Sequence, residues 1–240
     1  MMLGVLAAAI RRAIAPEPAE VAPVVRNAQA VATAGSQASQ VVSIVAEAGD
    51  LIIVNFNLRA VATPVPGLSS GGWTLYGGAA NGSSVASFLW FKIAEGNESL
   101  TITPSSPNHM ATSVLVVAAG THQGVIESAM STGSGSPNPM TLSPSWGKAK
   151  TLWLASYGQA NGTTVSAYPL PDNNNAARSL ARSSGCSTAM CTQHLEAESL
   201  DPAVFTPSAT GAYLCRHIAI QPGPPPLPGI QFLGATTRSK

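Results

Sequence analysis

From Gln40 onward, short apolar or β-branched runs alternate with clusters of Gly, Asn, Ser and Pro, the signature of many short strands separated by turns. Ile52, Val54, Phe56 and Leu58 fall on one face of a period-two strand, and Asn55 and Asn57 fall on the other. Leu89, Phe91 and Ile93 oppose Phe88, Trp90 and Lys92, and further on Leu100 and Ile102 alternate with Thr101 and Thr103. The intervening Glu95-Gly96-Asn97-Glu98 reads as a compact hairpin turn. Alternation repeated over many short segments predicts an all-β chain built as an antiparallel β-sandwich.

The strand pattern occurs twice. The strings GDLIIVNFNL, GWTLYGG, SFLWFKIAEGNESLTITPSSP and ATSVLVVAAG are followed, in the same order, by KTLWLASYGQ, AYPLPDN, TAMCTQHLEAESLDPAVFTPSA and GAYLCRHIAI. Leu51 aligns with Leu152, and Ile102-Thr103-Pro104-Ser105 with Phe205-Thr206-Pro207-Ser208, at offsets of roughly 100 positions. Ala80-Asn81-Gly82 and Ala160-Asn161-Gly162 need a different offset, so they read as one hairpin turn chemistry used twice. Four or five strands per copy make a marginal sandwich alone. The expectation is therefore an internal duplication, about 40–120 and 148–222, interleaved into a single sandwich of jelly-roll type spanning 40–222.

The ends lack this pattern. In MMLGVLAAAIRRAIA, Leu3, Leu6, Ile10 and Ile14 share one helical face until Pro16 and Pro18 stop the helix. Arg11 and Arg12 follow the apolar run, the reverse of a signal peptide, and no stretch approaches the roughly 20 apolar residues of a membrane span. Residues 1–39 thus read as an amphipathic helix plus an extended attachment arm, with an uncleaved signal-like segment as the second reading. Residues 223–240 form a Pro-rich tail that leaves the sheets and projects Ile230, Phe232 and Leu233. Leu3, Leu6, Ile10, Ile14 and Phe232 are the candidate attachment residues.

A chain of 240 residues with 10% charged positions has well under the usual quarter of charged residues, about 25%. Its polar surface comes from Ser, Thr, Asn, Gln and Gly, which are cheaper to desolvate against neighbours in an assembly. The composition of a GC-rich, Ala-rich genome gives the same signal. A net charge of +1 with scattered Lys and Arg provides no basic stripe for nucleic acid and no polybasic membrane patch. Three cysteines argue against a disulfide framework, and free buried thiols are the favoured state over a Cys186–Cys191 pair.

Several patterns with chemical potential resolve into structural ones. Gly67-Leu68-Ser69-Ser70-Gly71 matches a nucleophile elbow but follows Pro64 and Pro66 and precedes a strand, not a helix. Cys186, Cys191 and His194, with Cys215 and His217, have loose metal spacing without a C-x-x-C knuckle, so buried thiols are favoured over zinc. Glu95 and Glu98, and Glu196 and Glu198, read as solvated turn carboxylates before they read as acid–base pairs or a hard-cation site. His109 and His122 sit in polar loops with no partner suggested by spacing. Trp73, Trp90, Trp146 and Trp153 could stack sugars but serve more readily as core. No phosphate loop, dinucleotide fingerprint or H-E-x-x-H motif is present. The sequence implies no cofactor, no metal and no enzyme.

The string GDLIIV, then GWTL, then LWFKIAEGNESLTITPSS and a closing apolar strand, resembles the β-sandwich module of phage virion proteins, both head decoration and tail or fibre-associated proteins. The likeness covers about 40–120 well and 148–222 weakly, and it rests on turn and core residues. It implies a non-enzymatic structural protein of the virion, assembled in the bacterial cytoplasm, present in many copies or as a homo-oligomer. Capsid or tail subunits are its implied partners, and a host surface glycan is a further candidate. Head decoration is preferred to a tail role because the chain lacks a long fibrous repeat. Similar modules in secreted adhesive proteins leave a carbohydrate-binding surface module as the alternative.

Overall fold

The computed structural model describes residues 20–59, 65–171 and 178–224. The expected N-terminal helix and the attachment residues Leu3, Leu6, Ile10, Ile14 and Phe232 lie outside the described residues.

The described residues form strands and no helix. The first half contributes β1 (Val25–Ala32), β2 (Gln40–Ile44), β3 (Leu51–Leu58), β4 (Gly67–Leu68), β5 (Thr74–Asn81), β6 (Val85–Ile93), β7 (Glu98–Thr103) and β8 (Met110–Val117). The second contributes β9 (His122–Gly135), β10 (Ala149–Gln159), β11 (Val165–Ala167), β12 (Arg178–Arg182), β13 (Ser187–Ala197), β14 (Thr206–Pro207) and β15 (Gly211–Pro222). In the first half a five-stranded sheet, β1-β8-β3-β6-β5, is covered by a three-stranded sheet, β2-β7-β4. In the second, β9-β15-β10-β13-β12 is covered by the small β11-β14 sheet and by the Leu142–Leu200 bridge. All ladders are antiparallel.

The two five-stranded orders are the same order written twice, with β9, β15, β10, β13 and β12 standing where β1, β8, β3, β6 and β5 stand. Register agrees as well. Leu51 lies between Ile93 and Val117, and Leu152 lies between His194 and Ile220. Each sheet takes its strands from one half, however, so the expected interleaving does not occur. The halves avoid the marginality of a small sandwich differently, by packing their five-stranded sheets back to back. Three hydrophobic layers result. One lies under β2-β7-β4, around Ile52, Val54, Phe56, Phe88 and Trp90. A central one joins Leu51, Ile53, Leu89 and Leu115 to Leu152, Leu154, Met190 and Ile218. A third holds Trp153, Tyr157, Cys191, Phe205 and Cys215.

Burial on two faces explains β3, β8 and much of β10, which read as near-continuous apolar runs and are buried throughout. It also changes the meaning of Asn55 and Asn57. They occupy the face opposite Ile52, Val54 and Phe56, as the alternation predicts, yet they are 1% and 0% exposed because that face is the seam between halves. Three local expectations are corrected. Glu95–Glu98 does not close a hairpin, because β6 and β7 belong to different sheets. Asn81-Gly82 does close one, between β5 and β6 with Gly82 at φ 56°, whereas Asn161-Gly162 leads from β10 into another sheet. Residues 25–32, inside the expected arm, pair with β8 as an edge strand.

Candidate functional site

The strand directions give the body two ends. At the base, Val21 and Gly223 exchange backbone hydrogen bonds of 3.3 and 2.9 Å, so both chain ends leave side by side. The base is held by Asp50, whose buried carboxylate gathers three segments. Its Oδ2 accepts from Glu47 N at 2.8 Å and meets Arg26 Nε of β1 at 2.7 Å, while Oδ1 accepts from Ala119 N at 2.8 Å. Arg26 also reaches Glu47 Oε1 at 2.7 Å. On the second half, Glu20 accepts from Lys150 N at 3.3 Å, and the His194 ring meets the Pro23 carbonyl. The entering chain is therefore stitched to both halves at once.

Above the apolar part of the seam the two sheets present polar side chains to each other. Asn57 Nδ2 donates to Thr188 Oγ1 at 3.1 Å, and Ser113 Oγ lies 2.7 Å from the same oxygen. Thr188 donates to the Tyr157 carbonyl at 3.0 Å, and Ser87 donates to Asn55 Oδ1 at 3.1 Å. Arg216, 4% exposed, donates through Nη2 to the Gly77 carbonyl of β5 at 3.0 Å. Burial lowers its pKa to about 10. Asn55 Nδ2, Asn57 Oδ1, Ser156 Oγ and Arg216 Nε have no hydrogen-bond partner among the described residues. Buried polar groups cost stability unless paired, and in this layer the pairing runs from one sheet to the other through Asn57, Ser113, Thr188 and Arg216.

At the tip, opposite the base, a cleft of about 280 Å³ opens between the halves. The turn after β1 supplies Thr33 and Ala34, and the second half supplies Gly162, Arg182, Ser183 and Ser184. Thr33 Oγ1 donates to Gly35 O at 2.7 Å and accepts from Met110 N at 3.1 Å, which fixes the first wall. Ser183 Oγ accepts from Cys186 N at 3.1 Å, which shapes the second. Ser184 Oγ lies 3.3 Å from His109 Nδ1, a contact between the halves. The Arg59 side chain and the His109 ring both press on the backbone at Gly185, where an added Cβ would come within 2.8 Å of the ring and 3.3 Å of Arg59 Cδ.

The other sequence candidates are dispersed. Ser69 Oγ accepts from Thr101 N at 2.9 Å in a loop between strands, with no helix behind it. Cys186, Cys191 and Cys215 are buried thiols outside any disulfide; desolvation pushes Cys186 up to about 12 and Cys215 well above its ordinary value. Among the described residues no three His, Cys, Asp or Glu side chains gather into a metal-holding group. His217 Nδ1 donates to the Met140 carbonyl at 2.9 Å, its ring lies 5.2 Å from Trp153, and burial lowers its pKa to about 4. Glu98 pairs with Lys92 at 2.7 Å, and Glu196 with Lys148 at 3.7 Å. Trp90 and Trp153 are buried in different layers, and Trp73 and Trp146 are half-buried against different cores, so the four share no platform. Sequence reasoning missed the tip cleft because its lining comes from three separate segments, with Arg59 and His109 brought beside it from two more, and no spacing signal links them.

No family model, curated protein or solved structure matches the chain.

Proposed function

We propose that the chain is a non-enzymatic structural protein of a phage particle, most simply a head decoration protein held by its terminal segments, with a tail or fibre-associated position as the variant of the same reading. The observation that carries it is the Val21–Gly223 ladder, from which both terminal segments depart at one end of the body. A module tethered at one end and exposed at the other suits a surface subunit. Two further features support it. The low charge leaves a Ser, Thr, Asn and Gly surface that packs against neighbours at little desolvation cost. In the first half β1 also pairs with β8, β2 with β7 and β3 with β6, then β8 with β3 and β7 with β4, and the second half repeats the five-stranded order with only β11 and β14 in its smaller sheet. That is the order obtained by rolling up one long hairpin, and on this basis the first half is read as a jelly roll in which β5 lies beside β6 instead of β4.

The partners in this reading are capsid or tail subunits, and the location is the virion. The experiment is co-sedimentation with intact particles from producing cells, with copy number by quantitative mass spectrometry. Hundreds of copies per particle fit a head coat and a handful a tail. Absence from particles that are otherwise complete sinks the reading and leaves the surface carbohydrate-binding module as its successor.

A further inference from the structure

Charge is segregated along the body. Glu47, Asp50, Glu95, Glu98 and Glu196 stand at the base, Glu127 and Asp201 no higher than mid-height, and no described carboxylate stands at the tip. Lys92 and Lys148 are each neutralised by a glutamate, and Arg26 by Glu47 and Asp50. Arg59 and Arg182, by contrast, are exposed at the tip, and their guanidinium groups have no hydrogen-bond or ion-pair partner among the described residues. Arg182 lines the cleft between the halves, and Arg59 flanks it beside His109 and Gly185.

We propose that this cleft binds the anionic group of an acidic surface saccharide. A guanidinium recognises a carboxylate, sulfate or phosphate oxygen pair through its planar fork, and two such forks around one recess suit a single anionic ring substituent. The remaining lining, Thr33, Ala34, Gly162, Ser183 and Ser184, is neutral and small. A volume of about 280 Å³ lies at the small end of ligand clefts, which run to about 1,000 Å³, and fits a sugar unit better than a peptide. Nucleic acid is disfavoured because the net charge is +1 and the two arginines do not continue into a basic track. Both repeats are needed, since one wall comes from each half and the Ser184–His109 contact joins them.

The inference rests on the function proposed above only in taking the tip as the outward end. Binding by the purified full chain requires no particle, so the two ideas can fail separately. Polygalacturonate, heparin and teichoic acid supply carboxylate, sulfate and phosphate, with dextran as the neutral control and duplex DNA as the competing polyanion. Biolayer interferometry at low salt is expected to give binding to at least one acidic saccharide and none to dextran, and the strongest of the three identifies the anion. Arg182→Ala and Arg59→Ala, both at exposed positions, are each expected to weaken it about ten-fold with an unchanged melting temperature, and added salt weakens it further. Lys148→Ala at the base is expected to leave it intact. Failure to bind all three acidic polymers, binding of DNA alone, or equal loss in Lys148→Ala overturns the proposal.

Discussion

The side chain of Asn57, in the first half, lies directly against the backbone of Gly158 in the second, so that a Cβ added at Gly158 would overlap the Asn57 amide. The contact sits where the polar layer of the seam brings the two sheets together, beside the Asn57–Thr188 hydrogen bond. Gly158 is therefore a residue of close approach. The seam between the two sheets is tight enough at this point to exclude even a methyl group.

Gly158→Ala is expected to destabilise the whole body by about 2 kcal/mol, the size of an overpacking strain in a core that cannot give way. Chemical denaturation checks it, with a lowered midpoint and an unchanged slope. Gly82→Ala, at a turn with open space around it but a positive φ of 56°, is expected to cost less, about 1 kcal/mol.

Asp50→Ala is expected to cost about 3 kcal/mol. The substitution removes the acceptor of Glu47 N and Ala119 N and leaves Arg26 without its buried partner, and breaking a buried pair from one side is worth about 3–5 kcal/mol. The lower figure applies because the Arg26 side chain is 30% exposed. A double-mutant cycle with Arg26→Ala measures the coupling, and hydrogen exchange is expected to accelerate first in β1 and in the turns on either side of Asp50.

Acid should weaken the fold through His217. Its folded pKa is lowered from 6.5 to about 4 by burial, so the unfolded chain takes up a proton that the folded one does not. Its contribution is complete above the unfolded value and is lost as pH falls from about 6.5 to about 4, by up to about 3 kcal/mol in total. His122, also lowered by burial, acts in the same direction. The groups facing His217 are the Met140 carbonyl, Trp153 and Asp201. His217→Gln is expected to flatten the stability profile between pH 4 and 6.5 relative to the parent chain; an unchanged slope contradicts the assignment.

The parts of this fold legible in sequence are those governed by local alternation. Ile52, Val54, Phe56 and Leu58 do share one buried face, and the doubled order of strings corresponds to a doubled sheet order. What could not be read is what lies against the second face. Alternation places Asn55 and Asn57 on the face opposite the apolar one, but not what meets them there: Ser87 donates to Asn55, while Thr188 and the bare backbone at Gly158 accommodate Asn57. The strand β9 escaped for a related reason: HQGVIESAMSTGSG is an edge strand with mostly half-buried side chains, so little of its pairing with β15 is written as hydrophobicity. The tip cleft depends on turns from both repeats meeting at the seam, a relationship that no single window of sequence contains.

In the proposed role the terminal segments tether the body at its base, and the body is expected to fold without residues 1–19. A deletion reaching residue 30 would remove most of β1, whereas deletion of residues 1–19 leaves every described strand in place. The most direct measurement is particle incorporation of the full chain against this truncated chain, expressed in the same producing cells. The truncated protein is expected to melt as the full chain does but no longer to sediment with particles. A truncated protein that joins particles as efficiently as the full chain would contradict it.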